Sequence, residues 1–233
     1  MSAWSVRRIN RLFDFTQAQN YLEIGVEAGL TFADIKAQRK IAVDPEFEFD
    51  VSKRLSHQDS YYQMSSDAFF AKFQADLLFD VVFLDGLHNF SQTYRDLINT
   101  LEHLSPEGFI LIDDVFPSDE FSYIPDMKEA FRDRARSVAP RELTDYSWHG
   151  DIFKVVAIIH DFHQNLQYRT FWNGENAQTL VWWDYEQART TRFRGLAEIS
   201  NLSYTDVLKN FDILQIASEE EIWKILEELR EEA

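Results

Sequence analysis

Tyr21-Leu22-Glu23-Ile24-Gly25-Val26-Glu27-Ala28-Gly29 is a short strand-like run that carries one acid and closes on two glycines four positions apart. Glycine at such a place lets the backbone turn tightly and approach a ligand closely. The dinucleotide fingerprint needs glycine at its first, third and sixth positions, and a P-loop needs Gly-Lys followed by Ser or Thr. Here Gly29 is followed by Leu30 and Thr31, so the loop is poorly equipped for phosphate and points to a cofactor without it. Taken alone, glycines at a strand-to-helix turn can also be purely geometric.

Working outward, further β-rich runs follow at Ile41-Ala42-Val43, Val81-Val82-Phe83-Leu84 and Phe109-Ile110-Leu111-Ile112. They are apolar on successive residues, as strands are when helices cover both faces of a parallel sheet. The fold class is therefore α/β, a doubly wound Rossmann-like sheet. Between the last two runs, Ser91 to Leu104 places Tyr94, Leu97, Ile98, Leu101 and Leu104 at helical spacing, and Pro106 with Gly108 ends that helix. A weaker strand is expected at Tyr61 to Met64. After Gly150, Phe153 to His160 and Gln178 to Trp183 read as strands joined through Asn173 and Gly174, predicting an antiparallel hairpin at the sheet edge.

Beyond Asp184 the chain reads as helical, with a capping box at Ser218 and Glu221 and an apolar stripe of Ile222, Ile225, Leu226 and Leu229. That stripe packs on the domain or, alternatively, receives a partner helix and supports a homo-oligomer. The expected organisation is an N-terminal helical segment over 1–19 able to cover the site, a cofactor domain over 20–184 and a C-terminal helical extension over 185–233.

Charge narrows the function classes. With 23 basic and 40 acidic residues the net charge is −17, which repels nucleic acid and anionic membranes. Neither a membrane-spanning run nor a signal-peptide core is evident, so a cytoplasmic protein acting on a small molecule is expected. Cysteine is absent, so any metal must take oxygen or imidazole ligands.

The second strand ends in Asp44, about twenty residues past the glycines, where an acid can accept hydrogen bonds from ribose hydroxyls. The combination resembles the class I S-adenosylmethionine-dependent methyltransferases. By that resemblance Glu23, Gly25 and Gly29 surround the methionine part of S-adenosylmethionine, Asp44 meets the ribose, Ser66 and Asp67 meet the adenine, and Asp85 borders the cofactor. Ser66 and Asp67 equally fit a helix cap ahead of Ala68-Phe69-Phe70.

A more specific feature is Phe79 to His88, ending Asp85-Gly86-Leu87-His88, followed after one helix by Leu111-Ile112-Asp113-Asp114. If the two strands are neighbours, Asp85, Asp113 and Asp114 converge at one rim. Clustered carboxylates repel unless protons or a cation intervene, and oxygen ligation suits Mg²⁺ or another divalent cation. The plain alternative is that these acids cap turns. Within the superfamily the pattern is similar to the metal-dependent sugar O-methyltransferases of the macrocin O-methyltransferase type. The resemblance implies a metal at Asp85, Asp113 and Asp114 that activates an acceptor hydroxyl, with His88 or His149 as the general base. A metal-independent methyltransferase and a non-catalytic cofactor-binding assembly protein are the competing classes. A nicotinamide oxidoreductase is disfavoured by the missing middle glycine. Phe116, Phe121 and Tyr123 are candidate acceptor contacts or ordinary packing.

Overall fold

The computed structural model describes residues 3–54, 56–73, 77–137, 147–172, 176–185 and 188–232. The chain divides into two compact units, one of Met1–Leu87 with Ser91–Ile112 and another of His88–Phe90 with Asp113–Ala233.

In the first unit five parallel strands lie in the order β3-β2-β1-β4-β5. They are β1 (Asn20–Ile24), β2 (Arg39–Asp44), β3 (Asp59–Gln63), β4 (Phe79–Leu84) and β5 (Leu104–Ile112). Tyr21, Leu22, Ala42, Val81, Val82, Ile110 and Leu111 are buried, which is why these strands read as continuous apolar runs. By contrast, among the described residues β3 pairs only with β2, and it mixes half-buried and exposed residues, so its signal in the sequence is weak. Helix α1 (Ala3–Thr16) buries Ile9 and Leu12 and packs on β4, β5 and the short helix α2 (Leu30–Asp34).

The crossover helix differs from expectation at its end. Helix α3 (Ser66–Phe70) follows β3, and the crossover helix α4 spans Phe90–Leu101, so Leu104 belongs to β5 and not to the helix. His103 N–H donates to the Thr100 carbonyl and closes the helix before Pro106 is reached. Pro106 and Gly108 instead lie where the register slips from Phe79↔Leu104 to Val81↔Phe109, a bulge that tolerates a residue without an N–H. The most buried face of α4 is Thr93, Asp96, Leu97 and Thr100, so it includes an acid.

The second unit contains α5 (Met127–Ser137), α6 (Phe153–Phe162), β6 (Leu166–Phe171), β7 (Gln178–Trp183), α7 (Leu196–Ser200), α8 (Tyr204–Lys209), β8 (Ile216–Ala217) and α9 (Glu219–Glu232). The expected strand at Phe153 to His160 is therefore a helix. Every residue from Phe153 to Asp161 is buried, and a helix covered on all sides has no polar face from which its period could be read. The hairpin exists, but β6 is its first strand, pairing antiparallel with β7 from Leu166↔Trp183 to Phe171↔Gln178. Its expected turn residues Asn173 and Gly174 lie outside the described residues.

Arg189 closes the end of α6 by donating to the carbonyls of Ile159 (3.0 Å), His160 (3.1 Å), His163 (2.8 Å) and Leu166 (2.7 Å). The capping box of α9 is present, with Ser218 N–H donating to Glu221 Oε2 at 2.8 Å and Glu221 N–H to Ser218 Oγ at 3.2 Å. Ile222, Trp223 and Leu226 are buried, with Trp223 meeting Phe171 of β6, whereas Ile225 is half-buried and Leu229 exposed, so part of the apolar stripe packs on its own unit. Among the described residues no helix is long and apolar enough to cross a membrane.

Candidate functional site

In the first unit, β1 and β4 run side by side, and their ends set the geometry of the glycine loop. Asp85 N–H donates to the Ile24 carbonyl at 2.9 Å, which brings Asp85 against Gly25. Gly25 has φ +85°, and a Cβ there would lie 2.0 Å from the Asp85 carbonyl oxygen. Only glycine fits at this junction. Gly29, at φ +67°, opens α2, and a Cβ on it would meet Arg54 and the Phe49 ring at 2.7 Å.

Glu23 is buried and accepts a hydrogen bond from the Tyr21 hydroxyl at 2.6 Å. Burial pushes its carboxyl up to about 8, with Tyr21 opposing the shift and Asp85 adding to it. Burial therefore favours the protonated form of this acid. Asp44, last residue of β2, accepts at Oδ2 from the N–H groups of Val26 (2.7 Å) and Glu27 (2.9 Å), and at Oδ1 from Glu46 N–H (2.8 Å).

The helix cap expected at Ser66 and Asp67 is supplied one residue earlier, where the Ser65 hydroxyl accepts from Ala68 N–H at 3.3 Å. Ser66 and Asp67 instead turn to α4. Gln92 Nε2 donates to Ser66 Oγ (3.1 Å), Asp67 Oδ1 (3.2 Å) and Asp96 Oδ1 (3.0 Å). Arg95 donates to Asp67 at 3.3 Å and holds its carboxyl below the ordinary range. Burial raises Asp96. Gln92, Arg95 and Asp96 were not anticipated from sequence, although a charged residue in phase with Thr93, Leu97 and Thr100 was a usable signal.

The second unit gathers His88, Asp113, Asp114 and His149. Asp113 is buried, and its Oδ1 accepts from Asn176 Nδ2 (2.7 Å), Gln178 Nε2 (3.1 Å) and Asp114 N–H (2.9 Å). Burial, then repulsion by Asp114, pushes its carboxyl up to about 7. Asp114 adopts φ +57°, a left-handed conformation that strains a non-glycine residue. Its Oδ2 lies 3.1 Å from His88 Nε2 and its Oδ1 3.9 Å from His149 Nε2. The two carboxylates thus diverge in their partners, Asp113 facing amides and Asp114 facing imidazoles.

His88 is fixed by a segment that sequence reasoning only touched at His149. Its Nδ1 is 3.1 Å from the Trp148 carbonyl, and its ring stacks on Trp148 with centroids 4.7 Å apart. Gly150 has φ +60°, and a Cβ there would lie 1.6 Å from the His88 carbonyl oxygen. Asp151 accepts from Phe90 N–H at 2.6 Å and from Lys154 Nζ at 2.8 Å. A carbonyl partner requires Nδ1 to carry hydrogen, so a neutral His88 turns its Nε2 lone pair toward Asp114. Two acceptors 3.1 Å apart need a proton or a cation between them.

Of the candidate acceptor contacts, Phe116 meets Trp172 and Phe211 at 5.1 and 5.4 Å between centroids.

Residues 22–115 match a family model described as a methyltransferase domain. No curated protein matches the chain. Among solved structures it is similar to the O-methyltransferase TomG from Streptomyces achromogenes in complex with SAM, at 15% identity and TM-score 0.53 over 78% of this chain and 81% of that one. Cofactor-bound Rv0187 from MTB aligns at 15% identity and TM-score 0.56, over 78% and 80%. The O-methyltransferase from Bacillus cereus in complex with SAH aligns at 13% identity and TM-score 0.53, over 78% and 81%. At such identities the likeness is one of fold, Rossmann-like α/β.

Proposed function

We propose that the protein is a class I S-adenosylmethionine-dependent methyltransferase that O-methylates a hydroxylated small molecule, such as a sugar or glycosylated natural product, with help from a divalent cation; the match of residues 22–115 to a methyltransferase domain supports the reading. The facing of His88 Nε2 and Asp114 Oδ2 at 3.1 Å carries this reading, since it supplies a base and an oxygen ligand at one point.

In this proposal Glu23, Gly25 and Gly29 receive the methionine part of the cofactor. The buried Glu23 ionises against its ammonium group, and Gly25 admits close approach to the backbone. Ser66 and Asp67, steadied by Gln92 and Arg95, lie at the adenine end. When bound, S-adenosylmethionine would supply the electrophilic methyl group, with the sulfur of S-adenosylhomocysteine as its leaving group. The acids Asp85, Asp113 and Asp114 suit a hard divalent cation, which would lower the acceptor hydroxyl's pKa and orient it. Asp85 stands three residues before His88 in the chain. His88 takes the hydroxyl proton at Nε2, held in that tautomer by the Trp148 carbonyl. His149, buried beside Asp114, is the alternative base.

Calorimetric titration with S-adenosylmethionine and S-adenosylhomocysteine tests the core of the proposal, and failure of both to bind would end it. The same His88–Asp114 contact favours a second reading, in which an imidazole–carboxylate pair works without metal. Transfer of labelled methyl to a panel of sugar hydroxyls, with and without EDTA, separates the two. Undiminished turnover in EDTA selects the metal-free version.

A further inference from the structure

We propose that the buried Arg134–Asp119 pair sets the tautomer and orientation of the His88 ring, with Arg134 and Asp119 as positioning residues that act through Ser122 and the peptide joining Trp148 to His149. This rests on the reading of His88 as the base.

The contacts start on α5. Arg134 is only 3% exposed, and its guanidinium holds Asp119 by two bonds, Nε to Oδ2 at 2.9 Å and Nη2 to Oδ1 at 2.8 Å. Such a fork fixes direction as well as distance. Nη1 of the same side chain donates to the Ser147 carbonyl at 3.0 Å, one residue before Trp148. Asp119 Oδ1 in turn accepts from the N–H groups of Phe121 (2.9 Å) and Ser122 (2.6 Å), which draws residues 119–122 into a turn.

Ser122 is fully buried, and its carbonyl accepts from the N–H groups of His149 (3.0 Å) and Gly150 (2.9 Å). The His149 N–H and the Trp148 carbonyl belong to one peptide unit. That unit is planar and trans, so its N–H and C=O point in opposite directions. With the N–H held on Ser122, the Trp148 carbonyl is aimed the other way, where it meets His88 Nδ1 at 3.1 Å. Trp148 is also anchored through its side chain, the indole Nε1 donating to the Ile124 carbonyl at 2.7 Å while the ring stacks on His88. A neutral imidazole carries hydrogen on one nitrogen alone, and its hydrogen-bond partner decides which. The aimed carbonyl keeps that hydrogen on Nδ1 and leaves Nε2, 3.1 Å from Asp114 Oδ2, as the acceptor. Loss of the Arg134 fork frees the 119–122 turn, and the bond that selects this tautomer weakens with it.

Nitrogen-15 shifts of the neutral His88 ring, read in ligand-free wild type, Arg134→Met, Arg134→Lys and Asp119→Asn, test the proposal. Wild type is expected to carry the hydrogen on Nδ1. Arg134→Met and Asp119→Asn are expected to move the tautomer ratio toward Nε2–H by about tenfold, the worth of one hydrogen bond. Arg134→Lys keeps the charge without the fork and should move it less; if Arg134→Met does not fold, this milder variant supplies the comparison. A wild-type ring with its hydrogen on Nε2 overturns the proposal, independently of any variant's stability, and so does a ratio unchanged in every folded variant. Labelled methyl transfer to the sugar panel by His88→Gln tests the base reading separately, with an expected loss of about a hundredfold or more. Undiminished transfer there ends that reading, and the shifts then show a purely structural network.

Discussion

Replacing Gly25 by alanine tests the junction between the glycine loop and Asp85. The new Cβ would stand 2.0 Å from the Asp85 carbonyl oxygen, 2.4 Å from its carbon and 2.6 Å from Gly86 Cα. All three are backbone atoms, so no side chain can swing aside to make room. A positive φ costs an L-residue about 1–2 kcal/mol, and forcing an extra carbon into a packed site about 1–3 kcal/mol. Separating β1 from the end of β4 also removes the Asp85 N–H to Ile24 bond, worth about 1 kcal/mol. Together these reach roughly 3–6 kcal/mol, a large share of a typical domain's stability of about 5–15 kcal/mol. Urea unfolding followed by far-UV circular dichroism reads the loss, and calorimetry should find S-adenosylhomocysteine affinity down by about a hundredfold or more. Gly195→Ala is the control, since nothing lies within 4 Å of its Cβ position, and it should change stability by no more than about 1 kcal/mol. A Gly25→Ala protein as stable as that control, with wild-type affinity, would refute the reasoning.

Arg189→Ala removes one donor from each of four carbonyls at and just beyond the end of α6, of which those of Ile159, His160 and His163 keep another, and should cost about 1–3 kcal/mol, visible as a lower urea midpoint; an unchanged midpoint contradicts the role assigned to it. Glu23, raised from 4.5 to about 8, favours the fold in its protonated form. Its contribution is complete below about 4.5 and falls as pH rises through 8, so cofactor-free Glu23→Gln should lose less stability than wild type between pH 5 and 8. Parallel melting curves for the two proteins across that range would contradict the shift. Asp114→Asn removes a carboxylate from both His88 and His149 and should lower methyl transfer by about a hundredfold or more while leaving S-adenosylhomocysteine affinity within about twofold; equal losses in both measurements would point to a structural role.

The strands of the first unit were legible because β1, β2, β4 and β5 are buried along most of their length and therefore carry largely apolar runs. Burial hid α6 for the same reason, since a helix with no solvent face shows no period. Strand β6 went unread because Gln167, Arg169 and Thr170 break its apolar content, although the fold buries Gln167 and Thr170. Among site residues, Gly25, Asp85, His88, Asp113 and Asp114 were legible from local pattern at strand ends. Arg54, Gln92, Asp96 and Trp148 were not, because each matters through a contact made tens of residues away, which no local spacing encodes. Asp44 was found by position, while its hydrogen bonds to Val26 and Glu27 required the folded loop.

Among the described residues strand β3 closes one side of its sheet with β2 as its single partner, leaving a row of backbone donors and acceptors that another chain could pair with. Its sequence, Asp-Ser-Tyr-Tyr-Gln, is short and polar, with an acid at the start and no side chain fully buried. Such an edge is a poor template for strand addition. The composition that weakened β3 as a sequence signal therefore protects the protein against aggregation through this edge, and Asp59→Val or Gln63→Val would invite the association that the native strand discourages.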